Sequence, residues 1–178
     1  MSISSSTHQG VMRCPIVLPV AVVLLGSLLS SSAAKQPQFK DYPVDGTFSG
    51  VPSPPIFRTP GQRMFRNVIK DGLKKGPNFA GRFTVAEWGC GTGCVSIAVV
   101  DNYSGAVYDG PVGSLPHAAI YLGPPPDPSL TGVFYRQDSR LLVIKGCPNW
   151  RDCGAYYYEW RENSFILLKR DAILPSGR

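Results

Sequence analysis

Glu87, Gly89, Gly91 and Gly93, with Cys90 among them and Cys94 directly after in "AEWGCGTGC" (86–94), are the residues whose types and spacing come nearest to a reactive site. Three chemistries use such a stretch. An acidic residue at a strand end, followed by glycines at alternate positions, lets a nucleotide-like cofactor approach the backbone. Two cysteines with three residues between them supply half of a zinc site. In an oxidising compartment the same two cysteines close a disulfide.

The cofactor reading resembles the opening loop of S-adenosylmethionine-dependent methyltransferases, and it fails on the residues after Cys94. That loop must lead into a helix, whereas "VSIAVVDNYSGAVYDG" places Val95, Ile97 and Val99 in strict alternation and then turns at Asn102–Gly105. An acidic residue for the ribose belongs roughly 20 residues on, but Asp101 comes seven after Cys94. The zinc reading is no better. Cys147 and Cys153 are spaced too widely, and His117 is the one histidine beyond residue 34. No cofactor and no metal site is therefore expected.

A stapled turn has a mechanism. Two strands flank "CGTGC", and a Cys90–Cys94 bond would close the hairpin tip, with Gly91 and Gly93 relieving the sterics of the small ring. By chain entropy such a ring contributes only about 2 kcal/mol, so its effect is local. It aims the N–H groups around Gly91, Thr92 and Gly93 in fixed directions, as a plain rigid turn or as a nest for an anion. Glu87 and Arg82 on the adjoining strand complete the candidate ligand-binding set. The same two residues carry the alternative reading, a small extracytoplasmic hydrolase.

Glu87 shares a strand face with Phe83 and Val85, which places it at a core margin with Arg82 or Lys145 as partner. Glu87 and Asp101 fall at opposite ends of neighbouring strands and make no carboxylate pair. Asp109, Asp138 and Glu159 are scattered, and His117 reads as a surface loop residue. Tyr156, Tyr158 and Trp160 alternate onto one face, as core or as a stacking platform.

The elements that position these residues begin after a leader. Arg13, the apolar run to Leu29 and the small residues Ser32-Ala33-Ala34 form a signal peptide over residues 1–34, too short for a membrane span. Cleavage near Ala34 removes Arg13 and Cys14 and leaves 144 residues, a net charge of +5 and an even four cysteines. That suits an exported, disulfide-bonded domain, periplasmic or secreted. Residues 35–58 are a Pro-rich extended strap with Phe39, Tyr42, Phe48 and Phe57 as anchors.

Residues 59–178 read as one α+β domain. A single helix starts at Thr59, with Pro60 in its first position, Gln62 completing a capping box and Gly76-Pro77 ending it. Arg63, Arg66, Lys70 and Lys74 give it a basic outer surface. Eight strands come after it, at Arg82–Trp88, Val95–Asp101, Ala106–Tyr108, Ala119–Leu122, Thr131–Arg136, Leu141–Gly146, Gly154–Arg161 and Ser164–Lys169. "GPPPDPS" (123–129) is a rigid loop. The spacing predicts one helix packed on a mostly antiparallel β-meander or small sandwich, stapled by disulfides. If every turn of the meander reverses the chain, the two cysteine loops lie at opposite ends of the sheet. The pairs are then local, Cys90 with Cys94 and Cys147 with Cys153.

The stretches "GPNFAGRFTVAEWGCGTGCVS" (76–96) and "CGAYYYEW" (153–160) resemble a set of small secreted bacterial proteins of no assigned activity. Its members often carry histidine where this chain has Arg82, which counts against a scheme needing an imidazole there. The resemblance implies a bacterial exported domain and transfers no reaction. The reading is a binding or inhibitory module using the Cys90–Cys94 loop. Its partner is an extracytoplasmic protein or polysaccharide; nucleic acid is not expected, nor is a membrane span in the mature form.

Overall fold

Thr59 caps the helical segment as its sequence implies. Its Oγ1 accepts from the Gln62 N–H at 3.1 Å, and Gln62 Oε1 accepts from the Thr59 N–H at 3.3 Å. The expected single helix is nevertheless two: α1, Pro60–Met64, and α2, Arg66–Leu73, separated at Phe65 (φ −98°, ψ 18°). The two pieces answer to different anchors. Gln62 is buried and donates to the Val107 carbonyl and to Asp109 Oδ1, while Ile69 and Leu73 pack on Ala98, Val100 and Val107. Phe65, at the break, stacks on Trp88 with ring centroids 4.9 Å apart. A third short turn, the 3₁₀ helix Phe39–Asp41, lies in the strap.

In this computed structural model the described residues are 35–91, 93–111, 119–121, 132–148 and 152–172, with 119–121 described by backbone alone. Contacts separate residues 1–34 from residues 35–178. The leader, His117 and the 123–129 loop lie outside the described residues, among which no helix is long and apolar enough to cross a membrane.

The strands are β1, Phe83–Gly91; β2, Cys94–Asp101; β3, Val107–Asp109; β4, Ala119–Tyr121; β5, Gly132–Tyr135; β6, Leu141–Pro148; β7, Gly154–Arg161; and β8, Ser164–Ala172. Every strand pairing is antiparallel. They form two sheets, β1–β4 and β5–β8, which meet where the end of β6 pairs with β4. A strand that passes from one sheet into the other makes such a corner.

The simple meander is corrected here. Both β3 and β4 run antiparallel to β2, and both β4 and β5 run antiparallel to β6. The chain thus travels in one direction through three successive strands. Connections 110–118 and 122–131 are long enough to return the chain by a strand length, which a hairpin turn is not. Cys94 is consequently in register with Tyr121, and Tyr121 with Cys147. The two cysteine loops lie side by side.

Three apolar clusters stack the layers. Phe83, Val85, Ile97 and Val99 of the first sheet join Leu142, Ile144, Tyr156, Tyr158 and Trp160 of the second. Tyr156, Tyr158 and Trp160 are therefore buried core, as their alternation allows. Helix α2 covers the other face of the first sheet. On the outer face of the second, Leu141, Val143 and Tyr157 pack under Phe39 and Tyr42 of the strap. Two of the strap's aromatic anchors thus close a layer that α1 and α2 do not cover.

Candidate functional site

The last regular pair of the β1–β2 ladder before its tip is Gly89 with Val95. The next residues toward the tip, Cys90 and Cys94, are joined by a disulfide with Cα atoms 5.1 Å apart. Gly146 pairs with Gly154 at the end of the β6–β7 ladder, and Cys147 and Cys153, one step beyond, form the second disulfide. Antiparallel register brings Cys147 and Cys153 together one step past the last regular pair, whereas on β1 a bulge between Gly89 and Gly91 pairs Cys94 with Gly91 and leaves Cys90 as the extra residue, which the disulfide ties to Cys94. The expected pairing is observed, although the end-to-end separation used to argue it is not.

Gly91 (φ 133°) and Gly93 (φ 65°) turn the tip through conformations that side chains with a Cβ resist. Gly89, Gly91 and Gly93 are exposed, Cys90 is half-buried and Cys94 buried. Thr92 lies outside the described residues. The four cysteines among the described residues are in disulfides, so none of them is a thiolate ligand or nucleophile. Among the described residues no group of three or more His, Cys, Asp or Glu could hold a metal ion.

Glu87 is not where its strand face placed it. It is exposed, and its partner is neither Arg82 nor Lys145: Glu87 Oε1 accepts from the Tyr135 hydroxyl at 2.6 Å. The ammonium of Lys145 lies 5.3 Å over the Phe134 ring instead. Strand β1 runs past the core, so Phe83 and Val85 are covered while Glu87 overhangs toward β5. Burial, and secondarily the neighbouring carboxylate, raise the Tyr135 hydroxyl well above its ordinary range. Tyr135 was invisible as a site residue because its strand is distant in sequence.

Arg82 stands at the other end of β1. Its Nη2 is 3.1 Å from Asp101 Oδ2, and its guanidinium lies 5.1 Å over the Phe83 ring. Glu87 is five extended residue steps from Arg82, about 17 Å of chain. The structure does not bring them together. Arg82 opens instead onto a cleft of about 430 Å³ shared with Arg140, Arg161, Glu162 and Asn163. Sequence reading missed those four. The available signal was "RENS", a two-residue hairpin turn with no glycine where positive φ is required.

No protein-family model matches the chain, and no curated protein or solved structure is significantly similar to it.

Proposed function

We propose that this chain is an exported, disulfide-stabilised binding or inhibitory module that presents the Cys90–Cys94 tip to an extracytoplasmic protein or polysaccharide. The observation that carries the reading is an exposed tip whose backbone is held by a disulfide across the end of a two-stranded ladder. A fixed, exposed loop gives up little conformational entropy when a partner closes on it. Glu87, the acid a hydrolase would need, is exposed on the flank of that loop and stands about 17 Å of chain from Arg82. That separation weighs against the hydrolytic alternative. Export rests on the basic, apolar and small-residue order of residues 1–34, and the secreted protein should begin near Lys35 in mass spectra.

Gly89→Arg tests the tip. Gly89 is exposed, and the nearest atom to an added Cβ is the Cys94 carbonyl oxygen at 4.0 Å, so the side chain is accommodated without strain. Immobilised wild-type protein should retain an envelope component that the variant releases at an unchanged melting temperature. Equal retention by both proteins, or none by either, refutes the tip as the binding surface.

A further inference from the structure

At the Arg82 end of β1, eight extended residue steps and so about 27 Å of chain from the stapled tip, four chain segments converge on one cleft. The strap at residues 43–46, the turn at 80–83, Arg140 and the tip of the β7–β8 hairpin line it. We propose that this cleft binds a hydroxylated carboxylate of monosaccharide size, such as a hexuronate. The site shares no residue with the tip and does not depend on the reading given for it.

The walls are built under strain. Four non-glycine residues among those described have positive φ: Ala80 (42°), Asp152 (46°), Glu162 (52°) and Asn163 (59°). Three of the four line this cleft. Side chains with a Cβ rarely adopt that conformation, and residues held in it collect at ligand clamps and active sites. Glu162 and Asn163 form the two-residue turn between β7 and β8, a position that favours Asn-Gly or Asp-Gly. Retaining two side chains there fixes both at the rim of the cleft.

The walls are also tied to one another. The Phe48 N–H donates to the Gly81 carbonyl at 3.0 Å, and the Gly81 N–H donates to the Gln137 carbonyl at 2.7 Å. Arg140 donates its N–H to the Tyr42 carbonyl, and Trp160 donates its own to the Arg140 carbonyl, each at 2.8 Å. The strap passes so close to the turn that a Cβ on Gly81 would lie 2.2 Å from the Gly46 carbonyl oxygen. A site held from several sides this way is preorganised.

Its chemistry is divided. Asp101 anchors Arg82 from behind at 3.1 Å and Glu159 anchors Arg140 at 3.4 Å. The carboxylates' side chains are only 4% and 11% exposed, but those of the arginines are 49% and 42% exposed. Each guanidinium is therefore oriented by one buried acid and keeps donors facing the cleft. Arg161 makes no ion pair among the described residues. Three guanidinium groups offer the forked geometry that suits a carboxylate. Asp45, Glu162 and the Asn163 amide oxygen supply acceptors, which suit hydroxyl groups rather than a second anion.

Size narrows the class. At roughly 10–15 Å³ of such space for one water, the cleft's 430 Å³ has room for far more than a bare oxyanion and admits a sugar acid. Phe83, Trp160, Val44 and Ala80 give it an apolar floor for the ring carbons.

The experiment is a calorimetric titration of residues 35–178, which carry all three hydrophobic clusters, with galacturonate, neutral galactose and acetate. Saturable binding of galacturonate, at least tenfold tighter than either control, is expected. Arg161→Gln should weaken it at least tenfold with no change in melting temperature, since Arg161 is exposed. Arg82→Lys should also weaken it, keeping the charge but losing the fork. Equal binding of galactose removes any role for the carboxylate, and equal binding of acetate removes any role for the hydroxyls; either overturns the proposal. So does an absence of saturable binding, or an Arg161→Gln protein that binds galacturonate as the wild type does.

Discussion

Cys94 and Cys147 flank Tyr121 in consecutive register, two strand spacings and so about 10 Å apart. Each disulfide closes a small ring, worth about 2 kcal/mol by chain entropy. Because both brace the same strand, their effects should not be independent. Replacing Cys90 and Cys94 by serine, Cys147 and Cys153 by serine, and all four together should give stabilities in urea that depart from additivity by at least about 0.5 kcal/mol. Strict additivity would mean that β4 does not couple the two loops.

Two acids on neighbouring strands should respond very differently to neutralisation. Asp101 is buried and accepts from the Tyr103 N–H, the Ser104 hydroxyl and Arg82. Asp101→Asn should cost about 2 kcal/mol, the scale of hydrogen bonds to a charged group. Glu87→Gln, at an exposed position with one hydroxyl partner, should cost less than about 1 kcal/mol. Thermal denaturation of the two variants ranks them, and the reverse order would contradict the assignment of Glu87 to the surface.

Gly81 and Gly76 separate crowding from backbone conformation. Both have positive φ, 78° and 83°, but nothing lies within 4 Å of an added Cβ at Gly76. Gly76→Ala should cost about 1 kcal/mol for conformation alone. Gly81→Ala must in addition push the Gly46 carbonyl aside, and a loss of more than about 2 kcal/mol is expected. Similar losses would show that the strap yields freely.

Alkali should destabilise the fold through its tyrosines. Burial raises the Tyr135 hydroxyl, and burial pushes Tyr158 up to about 12. A raised tyrosine stays protonated in the folded chain while it ionises in the unfolded one. Its contribution is whole below about pH 10, the ordinary tyrosine value, and falls as pH rises toward the folded value. Tyr135→Phe should flatten the decline in melting temperature above pH 10, and absorbance at 295 nm should show late-ionising tyrosines in the wild type. An identical decline in the variant would remove Tyr135 as a cause.

What was legible in the sequence came from local physics. Alternation put Tyr156, Tyr158 and Trp160 on one face, which the structure shows to be core rather than a stacking platform, and Thr59 with Gln62 marked the helix start. Phe39 and Tyr42 were readable as anchors because aromatic residues in a Pro-rich strap have no other use. The break at Phe65 was not readable, since it reflects the contacts of Gln62 with β3 and the packing of Ile69 on the first sheet. Strand direction escaped because connection length does not reveal where a connection returns. Glu87 was misplaced because a face pattern says which side a residue takes and nothing of how far along the strand the cover extends. The arginine cleft was out of reach altogether: it draws on four stretches between residues 43 and 163.

The strap imposes an order of assembly. Ser139 donates its hydroxyl to the carbonyls of Phe39 and Tyr42, across sequence separations of 100 and 97 residues. A ribosome releases Phe39 and Tyr42 long before it releases the strands they cover. Throughout that interval the strap has nothing to dock on. Closing a loop of this span is among the slower kinds of step in folding. The strap, made before the strands it covers, is therefore among the last segments to take its place, and until it does the face formed by Leu141, Val143 and Tyr157 stands open to any other apolar chain.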